Sequence, residues 1–109
     1  RFSLIILNLG VSLSACEDLV RFKTEEYACD TNRLGIISVQ LQTQRGSTAA
    51  TLYTDRGTQT LEIILRDRGQ LELKAADNEI SINRGTGELK ALFGARYITM
   101  VCKKSVFAM

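Results

Sequence analysis

Apolar and polar side chains alternate through most of this chain from Tyr27 onward. In IISVQLQTQ, the residues Ile37, Val39, Leu41 and Thr43 alternate with Ser38, Gln40, Gln42 and Gln44, the two-residue period of a strand with one buried face. The same period recurs further on. Leu61, Ile63 and Leu65 alternate with Thr60, Glu62 and Arg66; Leu71 and Leu73 oppose Glu72 and Lys74; Ile80 and Ile82 oppose Glu79, Ser81 and Asn83. Between these runs stand QRGS, DRGT, DRGQ, ADNE and NRGTGE, each supplying Gly, Asn or Asp where a tight turn needs a positive φ or a local side-chain bond. Strand and turn units recurring about every 10 to 12 residues predict an all-β fold, a small antiparallel meander closing as a sandwich or a barrel. No long segment carries the helical period.

The N-terminal pattern is different. Arg1 is followed by FSLIILNLGVSL, in which Asn8 is the one strongly polar side chain, and then by the small residues Ser14 and Ala15. This is the layout of a secretory signal peptide, and the run is too short to cross the roughly 30 Å of a bilayer core as a helix. The alternative is a buried strand or core helix. Because the sequence opens on Arg rather than Met, a signal peptide over residues 1–15 would be N-terminally incomplete.

Leu13, Ser14, Ala15 and Cys16 resemble the lipobox of bacterial lipoproteins. The resemblance implies that Cys16 takes a diacylglycerol thioether, becomes the mature N-terminus and is acylated again, so that the membrane is held through acyl chains. Two or three chains anchor stably where one is marginal. Glu17 stands where Asp would signal inner-membrane retention in enteric bacteria, which favours the outer membrane of the cell envelope. The expected organisation is a signal peptide (1–15), a lipidated N-terminus with a tether or short helix (16–26), an all-β domain (27–102) and a C-terminal tail (103–109). In that tail the lysines are solvated or Phe107 packs back.

With Cys16 assigned to lipid, Cys29 and Cys102 remain of the three cysteines. In an exported protein two such residues near the ends of the domain read as one disulfide, joining the first and last strands. Two cysteines in a chain without histidine make a poor metal site, and no partner for a reactive thiol stands beside either.

Composition removes several functions. Formal charge is +2, without the basic excess of a nucleic-acid binder, and no cofactor loop is present. The absence of His excludes the common triads; Glu25 and Glu26 fall in the expected tether, and Glu62, Glu72, Glu79 and Glu88 on polar strand faces, so a non-enzymatic binding or structural module is expected. Arg-Gly occurs four times, always at a predicted turn. In a meander, successive turns alternate ends, which would place Arg45, Arg68 and Arg84 on one rim and Arg56 on the other. Three guanidinium groups on one rim would suit phosphate or carboxylate groups of an envelope component; the alternative is that they are solvated turn residues.

Two further resemblances concern the domain. EYACD, with Tyr27, Cys29 and Asp30, resembles the start of the membrane-bound inhibitors of c-type lysozyme, which implies a small disulfide-linked β-barrel and a lysozyme partner. Their Ser-Gly-x-x-Tyr segment is matched by Gly94 and Tyr97, but with Phe93 in place of Ser and only five residues before Cys102, so no inhibitory residue is carried over. The stretch from Ile80 to Lys104 is similar to small exported bacterial proteins of unassigned activity, with Asn83, Arg84, Thr86, Gly87, Cys102 and Lys103 in matching positions.

Overall fold

A computed structural model describes residues 22–108. They form nine strands: β1 (Phe22–Ala28), β2 (Ile36–Gln44), β3 (Ser47–Thr54), β4 (Gly57–Arg66), β5 (Gln70–Ala75), β6 (Asn78–Asn83), β7 (Glu88–Phe93), β8 (Arg96–Val101) and β9 (Lys103–Ala108). Each of β1 to β7 pairs antiparallel with the next, and β9 returns to β1, giving the order β8-β7-β6-β5-β4-β3-β2-β1-β9. The meander curls into a nearly closed barrel.

Local chemistry sets the turns. Arg45 and Gly46 both have positive φ, 49° and 85°, as a two-residue hairpin between right-twisted strands requires. Asp67 Oδ1 accepts the backbone N–H groups of Gly69 and Gln70 at 2.9 and 2.7 Å, and Asn83 Oδ1 those of Gly85 and Thr86 at 3.0 and 3.1 Å. These bonds satisfy donors that the ladder leaves open at a turn.

Closure rests on the last strand, because β8 and β9 are separated by Cys102 alone. They make one bent element whose first half pairs with β7 and whose second half pairs with β1. At the bend, Cys102 is joined to Cys29, the residue after β1, and donates its N–H to the carbonyl of Gly87 at 2.9 Å. Gly87 has φ +83°, and a Cβ there would strike the Cys102 carbonyl oxygen, so the crossing needs glycine. Side chains reach from the two sheet-edge strands to neighbouring loops. Arg96 Nη2 donates to the carbonyl of Arg33 at 3.1 Å, and Lys104 Nζ to that of Arg84 at 2.9 Å.

The core is the barrel interior. Tyr27, Val39, Leu52, Leu71, Leu73, Ile80, Ile82 and Leu89 are fully buried or nearly so, and each aliphatic side chain among them contributes roughly 1.5–3 kcal/mol through burial. Two residues expected on the inner face lie outside it. Register shifts between Ile36 and Ser38 in β2, and between Ile63 and Leu65 in β4, disrupt the alternation as bulges do. Ile36 and Ser38 are buried, while Ile37 is 53% and Leu65 41% exposed.

The sheet also extends beyond 27–102. Residues 22–26, expected in the tether, belong to β1, and most of the expected tail is β9. The cause is charge within both strands. Glu25 is buried next to Tyr27 on that strand's inner face, and the exposed Lys104 stands opposite Tyr27 on β9, so the alternation at both ends of the domain is masked. The expected signal peptide and Cys16 lie outside the described residues.

Candidate functional site

Successive turns alternate ends. The β2–β3, β4–β5 and β6–β7 turns share the end where the chain enters β1, here the entry end; the β1–β2 loop and the β3–β4, β5–β6 and β7–β8 turns share the far end. Arg45, Arg68 and Arg84 accordingly stand at the entry end and Arg56 at the far one. Arg45 and Arg68 are exposed, but Arg84 is only partly so, and it turns toward Glu25 rather than outward.

Glu25 is 3% exposed. Arg84 grips it with two bonds, Nε to Oε2 at 3.0 Å and Nη2 to Oε1 at 2.8 Å, and donates from Nη1 to the carbonyl of Asp67 at 2.5 Å. The hydroxyl of the fully buried Tyr27 donates to Glu25 Oε2. Burial alone would push the Glu25 carboxyl upward, but the Arg84 and Tyr27 hydrogen bonds and the charges of Arg84 and Lys104 outweigh it and hold the group below its ordinary value. Tyr27 moves the other way: burial, then the hydrogen bond to Glu25 and that residue's negative charge, push its hydroxyl well above the usual tyrosine range. Arg84 is raised by its bond to Glu25, against a smaller opposing effect of burial.

This cluster is a lock rather than a reactive centre. Both carboxylate oxygens are occupied, and the group is held in the ionised form, so it is poorly placed to accept a proton from an external molecule. Sequence reasoning missed Glu25 because its partner lies 59 residues away. The available signal was an acidic residue in phase with Tyr27, a position that requires an opposite charge if the strand is buried.

The far end is open. A cleft of about 570 Å³ is lined there by residues including Arg33, Asp55, Arg56, Asp77, Arg96, Asn78 and Gln59, with the fully buried Leu52 and half-buried Phe93 as its apolar part. Concave sites of roughly 300–1,000 Å³ at barrel mouths are common ligand positions. Asn32 shapes the loop beside it. Its Oδ1 accepts the N–H groups of Leu34 and Ile36 at 3.2 and 3.1 Å, and its Nδ2 donates to the carbonyls of Asp30 and Ile36, both at 2.8 Å. Gly35 in this loop has φ +71° and lies under the Asp55 carboxylate, which a Cβ would strike.

The cleft is not the rim expected from the Arg-Gly turns, since of those four arginines only Arg56 lines it. Tyr97, from the expected lysozyme-inhibitor match, is 56% exposed on β8, and Gly94 lies at the cleft. Cys29 and Cys102 are brought together as expected, with sulfurs bonded and Cα atoms 4.3 Å apart.

Fold and disulfide together define a nearly closed, single-bridge antiparallel β-barrel with one locked and one open end. Comparison of the chain with protein-family models, with curated proteins and with solved structures finds no match.

Proposed function

We propose that this chain is a lipid-anchored, non-enzymatic binding module of the bacterial cell envelope. The observation that carries the reading is polarity along the barrel: the chain enters at Phe22, six positions after Cys16, at the end opposite the cleft. An acylated Cys16 would hold the entry end toward a membrane, and the cleft would face outward. The lipobox match Leu13-Ser14-Ala15-Cys16 and the Cys29–Cys102 bridge support the same reading, since disulfides persist in oxidising compartments. The lack of His and the occupied state of Glu25 favour binding over catalysis.

Intact-mass analysis of protein purified from a bacterial envelope, before and after reduction and alkylation, tests this. The expected mass begins at a diacylated or triacylated Cys16, with two further cysteines labelled only after reduction. A mass retaining Arg1 with an unmodified Cys16 thiol would overturn the anchoring.

The resemblance of EYACD to lysozyme inhibitors supports a second reading, in which the barrel blocks a c-type lysozyme. A lysozyme activity assay with micromolar excess of the protein separates the two, and undiminished activity removes inhibition.

A further inference from the structure

The far-end cleft carries five charges of both signs. Arg33 comes from the β1–β2 loop, Asp55 and Arg56 from the β3–β4 turn, Asp77 from the β5–β6 turn and Arg96 from the start of β8. Among the described residues none of them makes an ion pair within 4.0 Å; the one such pair is Arg84 with Glu25 at the other end. Arg96 is oriented by its bond to the Arg33 carbonyl. The side chains of Arg33 and Arg56 make no hydrogen bond to the described residues, and both are exposed. Beside them, Asn78 Nδ2 donates to Gln59 Oε1 at 3.3 Å, which leaves the Gln59 amide donors and the Asn78 amide oxygen to meet an incoming peptide group. The half-buried Phe93 supplies apolar contact.

A ligand that matches this set must bring an anion, a cation and amide groups on one short frame. We infer that the cleft binds a short zwitterionic peptide. Its carboxylate meets the guanidinium groups of Arg33 and Arg56, its ammonium meets Asp55 and Asp77, and its backbone meets the paired amides of Gln59 and Asn78. Bidentate guanidinium–carboxylate contacts give both strength and orientation. A neutral glycan would leave the charges unanswered, which discriminates against it. In an envelope, this chemistry is that of the stem peptide of the cell wall, with its free carboxylates and amine. The inference rests on the proposed localisation for the ligand's source only.

The test is a backbone-amide NMR titration of the full chain, with its disulfide formed, in mild detergent. The probes are a synthetic stem tripeptide ending in diaminopimelate, the same peptide with its amines acetylated and its carboxylates amidated, and a peptide-free cell-wall disaccharide. The tripeptide is expected to shift the amides of Gly35, Gly57 and Gly94. The charge-blocked peptide should bind weaker by about tenfold or more, the scale of one lost charge-assisted contact. Arg56→Glu should weaken the tripeptide equally while leaving the spectrum of the free protein folded. No shift at these glycines up to millimolar tripeptide, equal affinity for the blocked peptide, or preference for the disaccharide would overturn the inference. The mass of Cys16 is read independently, so tripeptide binding by a chain that is not acylated would remove the envelope reading and leave the cleft's ligand class standing.

Discussion

The two ends of this barrel use the same side-chain chemistry in opposite ways. At the entry end, Arg84 and Glu25 are closed on each other, with Tyr27 and the Asp67 carbonyl completing the set. At the far end, three arginines and two aspartates line one opening with no ion pair among them. A charge buried with its partner contributes to the structure only while that partner remains, whereas an exposed charge contributes little to stability and is available to an external group. The contrast teaches that the arginines of this chain cannot be pooled as one basic surface; position along the barrel decides what each does.

Breaking the covalent tie at the bend should have the largest effect. Replacing Cys29 and Cys102 by Ser opens a loop of 73 residues and should lower stability by about 4 kcal/mol on loop-closure entropy, read as a fall in the denaturant midpoint.

Next comes the lock itself. Arg84→Met leaves Glu25 buried without its guanidinium and should cost about 3 kcal/mol at neutral pH, with the Glu25→Leu/Arg84→Met pair less impaired than the single change. The sign with pH is fixed by Glu25. Its folded-state value lies below the ordinary 4.5, so its contribution is complete above about pH 4.5 and is lost as pH falls through the folded-state value. The Arg84→Met deficit should therefore shrink in acid. Tyr27 acts at the other extreme. Its value is raised in the folded state, so its contribution is present below its ordinary value of 10.0 and is lost as pH rises toward the folded-state value. Equilibrium unfolding followed across pH reads both limbs.

A smaller loss is expected at the crossing. Gly87→Ala forces a Cβ against the Cys102 carbonyl at positive φ and should cost about 2 kcal/mol; Gly46→Ala, where φ is also positive but nothing lies within 4 Å, should cost about 1 kcal/mol. Smallest of all, Arg56→Glu at the far end should change stability by less than about 0.5 kcal/mol. A large loss there would erase the difference between the two ends.

What could be read from the sequence was what neighbours encode. The turns at Asp67 and Asn83 are written in residues that bond within three positions of themselves, the turn at Arg45 in the glycine that follows it, and Leu71, Leu73, Ile80 and Ile82 keep a clean period through β5 and β6. The bridge followed from counting once Cys16 was set aside. The bulges in β2 and β4 left no local mark, because apolar residues stand on both sides of each slip: Ile36 beside Ile37, and Ile64 between Ile63 and Leu65. The lock and the cleft were out of reach for a different reason. Each gathers charged residues from segments far apart in the chain, and a charge run reads the same whether its partner is water or a buried carboxylate.

The bent last strand has a consequence for how the molecule is made. Every pairing from β1 to β8 joins neighbours and can form as soon as a hairpin is synthesised, but Lys23 meets Ala108 and Ala28 meets Lys103, contacts of the greatest sequence separation the domain contains. Such pairings form slowly because a long loop must close before they are rewarded. During synthesis the first strand is the earliest to emerge and the last to be covered, and its outer edge is an open template for pairing with another chain in the interval. A chain cut before Lys103 would lack the strand that shields the first one, and would present that edge to whatever it meets.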